Sequence, residues 1–87
     1  MTAGANVHLD QGGVDYHVQI EQIEDPLQLE VRVYAGGRIL FHKRVSYAEA
    51  VEGMGNPAHV QSAVQEEVAK LLALVQAAIQ RGRIKAE

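Results

Sequence analysis

The chain has 87 residues, of which 47% are hydrophobic and none is cysteine, and its net charge is −3. That length gives one domain near the lower limit for a single core, and that apolar fraction excludes general disorder. Disulfide and thiol chemistry are excluded, and the acidic balance counts against general affinity for nucleic acid or anionic lipid.

Taken in chain order, residues 1–6 are small and polar and are expected to fray, as are residues 84–87. Met1 to Val7 has no basic, apolar signal segment, and no run approaches the ~20 apolar residues of a membrane span. The expectation is a soluble, cytoplasmic protein. Val7 and Leu9 then alternate with His8, and Gly12-Gly13 marks a tight turn that pairs Leu9 with Tyr16 and Val7 with Val18. Val14, Tyr16, Val18 and Ile20 alternate with Asp15, His17, Gln19 and Glu21, the clearest strand in the chain. Glu24-Asp25-Pro26 ends it, because proline restricts its neighbour and removes a ladder donor.

Leu27, Leu29, Val31 and Val33 alternate with Gln28, Glu30, Arg32 and Tyr34. At Ala35-Gly36-Gly37 the turn and the apolar pattern have to agree. A two-residue loop puts Val33 beside Leu40, but also Arg32 beside Phe41. A three-residue loop pairs Tyr34 with Arg38, Val33 with Ile39 and Val31 with Phe41, with Gly37 as the left-handed bulge residue. The three-residue loop is preferred. The next strand then runs from Arg38 to about Val45, with Ile39, Phe41 and Val45 inward. Lys43 interrupts that set near the sheet edge, its stem on apolar surface and its ammonium in water.

Ser46-Tyr47-Ala48-Glu49 matches a capping box and predicts a short helix from Tyr47 to about Glu52. Gly53, Gly55 and Pro57 then interrupt the chain. From Asn56 to Gly82 the spacing predicts one long amphipathic helix, with Asn56 as its cap, Pro57 in the first turn and Gly82 as its left-handed stop. Val60, Val64, Val68, Leu71, Leu72, Val75, Ala78 and Ile79 form its apolar face, which Leu74 widens on one flank. Ala69, Ala73 and Ala77 occupy the opposite face. There they are good helix formers on a solvated surface, or small residues that let a second helix approach in a homodimer.

The fold class is therefore α+β: a single β-β-β-β-α domain over residues 1–87, with a four-stranded antiparallel meander, three strong strands and a short N-terminal one, roofed on one face by the long helix. One helix covers one face, so function is sought on the other. That open face carries His8, Asp10, Asp15, His17, Gln19, Glu21, Gln28, Glu30, Arg32, Tyr34, Arg38, Leu40, His42 and Arg44. In one allowed register His8, His17, Glu30 and His42 form a row. Three imidazoles and a carboxylate suit a transition metal, but strands stand ~4.8 Å apart, so a straight row cannot converge on one ion. No metal and no cofactor are expected.

Catalysis is not expected either. Besides tyrosine, the hydroxyls are Thr2 in the tail, Ser46 as a cap and Ser62 in the first turns of the helix; His59 near Ser62 is an accident of helical spacing. Glu66 and Glu67 diverge, the paired glycines are hairpin turns, and Gly53-Met54-Gly55-Asn56 lacks the lysine and hydroxyl of a phosphate loop.

Two function classes remain. The first is a protein-interaction or adaptor module in a bacterial-type regulatory or assembly complex. Its partner would meet Arg32, Tyr34, Arg38, Leu40, His42 and Arg44 on the open face, an edge strand, or the alanine face of the helix, where a homodimer would form. The second rests on element order: four strands followed by a helix resembles the PC4-like transcriptional cofactor fold. That resemblance implies single-stranded nucleic-acid binding, with Arg32, Arg38, His42, Lys43 and Arg44 along phosphates and Tyr34 under a base. Asp15, Glu21 and Glu30 on the same face favour the adaptor.

Overall fold

Period-two alternation of apolar and polar residues produces four strands: β1 (Gly4–Gln11), β2 (Val14–Glu24), β3 (Leu27–Ala35) and β4 (Arg38–Ser46). They are followed by a short helix α1 (Ala48–Val51) and a long helix α2 (Pro57–Gln80). The computed structural model describes residues 2–86. The strands lie in chain order, every pair antiparallel, in one open sheet. The fold is the expected α+β meander with a helical roof.

The first hairpin follows the sequence. Leu9 pairs with Tyr16 and Val7 with Val18. Both residues of its loop, Gly12 and Gly13, have positive φ (61° and 80°), the geometry that matches strand twist in a two-residue turn. Tails expected to fray are instead tied down. Ala3 is buried, donates to Gln22 Oε1 at 2.7 Å and accepts from the Gln22 N–H at 3.1 Å, and Gly4–Asn6 belong to β1. Ile84 is buried, and the Ala86 N–H donates to the Tyr16 hydroxyl at 3.1 Å. Of the residues expected to fray, Met1 and Glu87 lie outside the described set.

Two registers differ from expectation. β2 continues to Glu24, and a two-residue Asp25-Pro26 loop pairs Glu24 with Leu27. His17 therefore stands opposite Tyr34, not Glu30. The two alignments differ by an even number of residues, so both keep the apolar faces matched, and only the tight turn separates them. The second difference is at β3–β4. Gly36 and Gly37 both have positive φ (57° and 77°), and the loop has two residues: Ala35 pairs with Arg38 and Tyr34 with Ile39. The register then shifts at Leu40, so that Val33 pairs with Phe41, Val31 with Lys43 and Leu29 with Val45. This bulge lets a twist-matched turn coexist with apolar matching further along. The three-residue loop is thus replaced by a two-residue turn plus one extra residue in β4. Its consequence is local: Ile39 turns outward and is 53% exposed, while Leu40 packs against the core.

Helix α2 supplies the other half of the core. Asn56 Oδ1 accepts from the Ala58 and His59 N–H groups, at 2.8 and 3.4 Å. At the far end Gly82 (φ 73°) donates to the Ile79 carbonyl and Arg83 to the Ala78 carbonyl, closing the helix with the paired reverse bonds of a glycine stop. Val64, Val68, Val75 and Ile79 are buried against Tyr16, Val18, Ile20, Leu29, Val31 and Val33. Burying each of the larger side chains contributes roughly 1.5–3 kcal/mol, and this sheet–helix layer is where the apolar area lies. The roof is off-centre. Helix α2 lies over β1 and β2, and β4 keeps Phe41 and Val45 only half-buried.

A second anchor holds the lower end of the sheet. Tyr47, 2% exposed, donates its hydroxyl to the Ile23 carbonyl at 2.8 Å and accepts from Gln22 Nε2 at 3.1 Å. The expected helix from Tyr47 to Glu52 is shorter, Ala48–Val51, because Tyr47 turns inward to precede it. The Ser46 hydroxyl accepts from the Ala48 N–H at 3.2 Å.

Candidate functional site

On the open face the registers set side chains in rows across the strands. One row reads His8, His17, Tyr34, Ile39; the next Asn6, Gln19, Arg32, His42; the third Gly4, Glu21, Glu30, Arg44. No described segment covers them. The proposed interface residues split accordingly. Arg32, Tyr34, His42 and Arg44 share this face. Arg38 pairs with the core-side Ala35 at the turn, and Leu40 packs inward. Arg38 and Leu40 therefore lie off the open face, because the two-residue turn flips residues 38–40 and the bulge at Leu40 restores the expected order only from Phe41 onward. Ile39 takes the place assigned to Leu40. The sequence signal for this was the Gly-Gly pair, whose two-residue turn fixes the first pairs before any apolar matching begins.

Glu30 organises the lower part of the face. It is 7% exposed although no helix lies above it. Its Oε1 is ion-paired with Arg32 Nη2 at 2.7 Å, and its Oε2 accepts from His42 Nε2 at 2.9 Å and from Arg44 Nε at 3.1 Å. Arg32 is two residues along the same strand, Arg44 directly opposite and His42 diagonal, so β3 and β4 together place three basic groups on one carboxylate. Glu21 faces it from β2. The hydrogen bond from His42 is the largest influence holding the Glu30 carboxyl below its ordinary range. Burial opposes it, while the hydrogen bond from Arg44 and the charges of Arg32 and Arg44 add to it.

This has a sign that can be tested. A carboxyl whose folded pKa is depressed contributes stability that is present above its unfolded pKa, near 4.5, and is lost as pH falls through the lower folded value. The thermal midpoint of the wild type is expected to fall more steeply below about pH 4.5 than that of Glu30→Gln, with the two curves converging in acid. Parallel curves across that window would remove Glu30 as the origin.

Above the cluster lies a row of rings. His8 and His17 stack with centroids 4.4 Å apart and planes within 6°, and Tyr34 follows at 6.2 Å and 41°. His8 Nδ1 donates to Asp15, 3.0 Å away, and His17 Nε2 is bonded to Asn6 Oδ1. With Gly36 and Gly37 these rings line an open depression of about 570 Å³. The expected row of His8, His17, Glu30 and His42 does not form, since Glu30 and His42 sit in other rows. Among the described residues no group of three or more His, Cys, Asp or Glu could hold a metal ion.

On the back of α2, Ala69 and Ala73 are exposed and Ala77 half-buried. Leu74, expected to widen the core face, is 69% exposed. No helix of the described residues is long and apolar enough to cross a membrane. Comparison with protein-family models, curated proteins and solved structures yields no match.

Proposed function

We propose that this chain is a non-enzymatic interaction module that binds a protein partner through its open sheet face. The observation that carries the reading is the Glu30 cluster. Arg32 and Arg44 are long, flexible side chains, and each is fixed on a carboxylate before any partner arrives. Two arginines and an imidazole against one carboxylate leave a positive surplus held in place, which lowers the ordering cost of contact with an acidic surface. Tyr34 stands beside it and, with arginine, belongs to the residue types that dominate interface energetics. Asp10, Asp15 and Glu21 hold the β1–β2 side of the same face acidic, so the surface is split by charge and fixes the orientation of whatever docks.

The test is co-purification of the chain with a stoichiometric partner from its own cells, followed by the double variant Tyr34→Ala/Arg44→Ala. Loss of two such anchors is expected to weaken binding by roughly 30-fold or more. Undiminished binding would place the interface elsewhere on the molecule.

A second reading, single-stranded nucleic acid, is favoured by the stack of His8 on His17 with Tyr34 adjoining, a ring surface beside Arg32. Base stacking on aromatic rings tolerates sequence and needs cations along the strand. The acidic β1–β2 side opposes it. Oligonucleotide binding that weakens with salt would support this reading, and no binding at low salt would remove it.

A further inference from the structure

The off-centre roof leaves a groove on the roofed face, at the β4 edge of the sheet. Between β4 and α2 lies a cleft of about 450 Å³ whose walls are Phe41 and Val45 on one side and Leu71, Leu74, Val75 and Ala78 on the other. Its polar lining is Lys43 and Arg83, and no carboxylate contributes. The cleft runs beside the outer edge of β4, the last strand of the sheet. Among the described residues no segment pairs with that edge. Leu74, the most exposed of the large apolar side chains, stands over it.

We infer that β4 accepts a fifth strand: an extended segment of a partner protein in which acidic and apolar residues alternate. Side chains of an added strand point alternately to the two sheet faces. Those on the roofed side would enter the cleft against Phe41, Val45 and Leu74. Those on the other side would lie next to His42 and Arg44. The charge argues for the occupant. β4 carries Arg38, His42, Lys43 and Arg44 with no acidic residue, in a chain whose net charge is −3. An acidic strand complements that edge, whereas a second β4 from another copy would set basic residues against basic residues. Pairing β4 with the β1 edge of another copy would be head-to-tail and would appear as concentration-dependent self-association. The inference concerns the edge and the cleft; it shares His42 and Arg44 with the open-face reading, and Leu74 and Lys43 on one side and Tyr34 on the other tell the two apart.

The probe is a labelled synthetic peptide of 9 residues, the length of β4, alternating glutamate with valine or leucine. A control peptide of the same composition has its acidic and apolar residues in separate blocks. Saturable binding is expected for the alternating peptide at low salt, with amide shifts concentrated at Ile39–Val45. Leu74→Glu and Lys43→Glu are each expected to weaken it about tenfold, and Tyr34→Ala to leave it unchanged. Leu74 is exposed, so its variant keeps the fold, as its unperturbed amide spectrum would show. No saturable binding, equal binding of the block peptide, or binding indifferent to both variants overturns the proposal. Concentration-dependent self-association with shifts in β4 would also overturn it, by making the occupant a second copy. Release of a partner by Tyr34→Ala alone, at a position outside β4 and the cleft, tests the open-face reading separately.

Discussion

Tyr47→Ala is expected to destabilise the protein by about 3–5 kcal/mol, the range for removing a buried aromatic side chain. Tyr47 joins three parts of the chain. Its ring is buried at the junction of β4 and α1, and its hydroxyl joins the Ile23 carbonyl to Gln22 Nε2. Gln22 in turn accepts from the Ala3 N–H at 2.7 Å and from Gln61 Nε2 at 3.2 Å. Removing the ring opens a cavity and takes away one hydrogen-bond partner each from the Ile23 carbonyl and from Gln22, the side chain that also holds Ala3 and Gln61. Domains of this kind have total stabilities of about 5–15 kcal/mol, so the variant would be close to unfolding. Tyr47→Phe isolates the hydroxyl and is expected to cost about 1 kcal/mol. Urea titration with comparison of midpoints and slopes measures both. A Tyr47→Ala midpoint equal to that of the wild type would show that the ring carries no packing.

The second large effect is a contrast between two isoleucines. Ile20→Ala is expected to cost about 2–5 kcal/mol, because Ile20 is fully enclosed between β1, β3 and α2. Ile39→Ala is expected to change stability by no more than about 0.5 kcal/mol, because the side chain faces solvent. Read from the alternation alone, Ile39 was one of the inward residues, and the two substitutions would have been comparable. Equal losses in the two variants would restore that reading and remove the bulge at Leu40.

These residues mark how far the sequence carries. Within β1–β2 the Gly-Gly turn and the alternation agree on one register, and Leu9, Val7, Tyr16 and Val18 are placed correctly. The caps of α2 at Asn56 and Gly82 are local chemistry and are equally legible. The alternation of β3 identifies its inward face but not its alignment with β2, since a slip of four residues moves no side chain through the sheet. In β4 two local signals conflict. A two-residue turn sets Tyr34 opposite Ile39, and apolar matching, which reads Val33 opposite Ile39, is met instead by Val33 opposite Phe41. One inserted residue satisfies both, and nothing in a pattern of hydrophobicity announces an insertion. That single residue decides whether Leu40 or Ile39 belongs to the candidate interface. Glu30 could be found as a charged residue on the open face. Its near-complete burial could not, because it depends on Arg44 lying opposite rather than His42. Tyr47 is hidden by a capping-box match whose serine does bond to the backbone, two residues before the helix begins.

Strand order that repeats chain order has a consequence during synthesis. Each strand meets its neighbour across a loop of two residues, so all three pairings close early and cheaply, and none waits for a distant segment. The helix that shields their apolar side is made after all four strands. A fragment ending at Gly55, before α2, is expected to hold Val18, Ile20, Val31 and Val33 bare, to bind an apolar dye and to associate with itself. A soluble, dye-silent monomer of that fragment would mean the strands do not assemble ahead of their roof. Chain order thus delivers the four strands ahead of the lid that covers them.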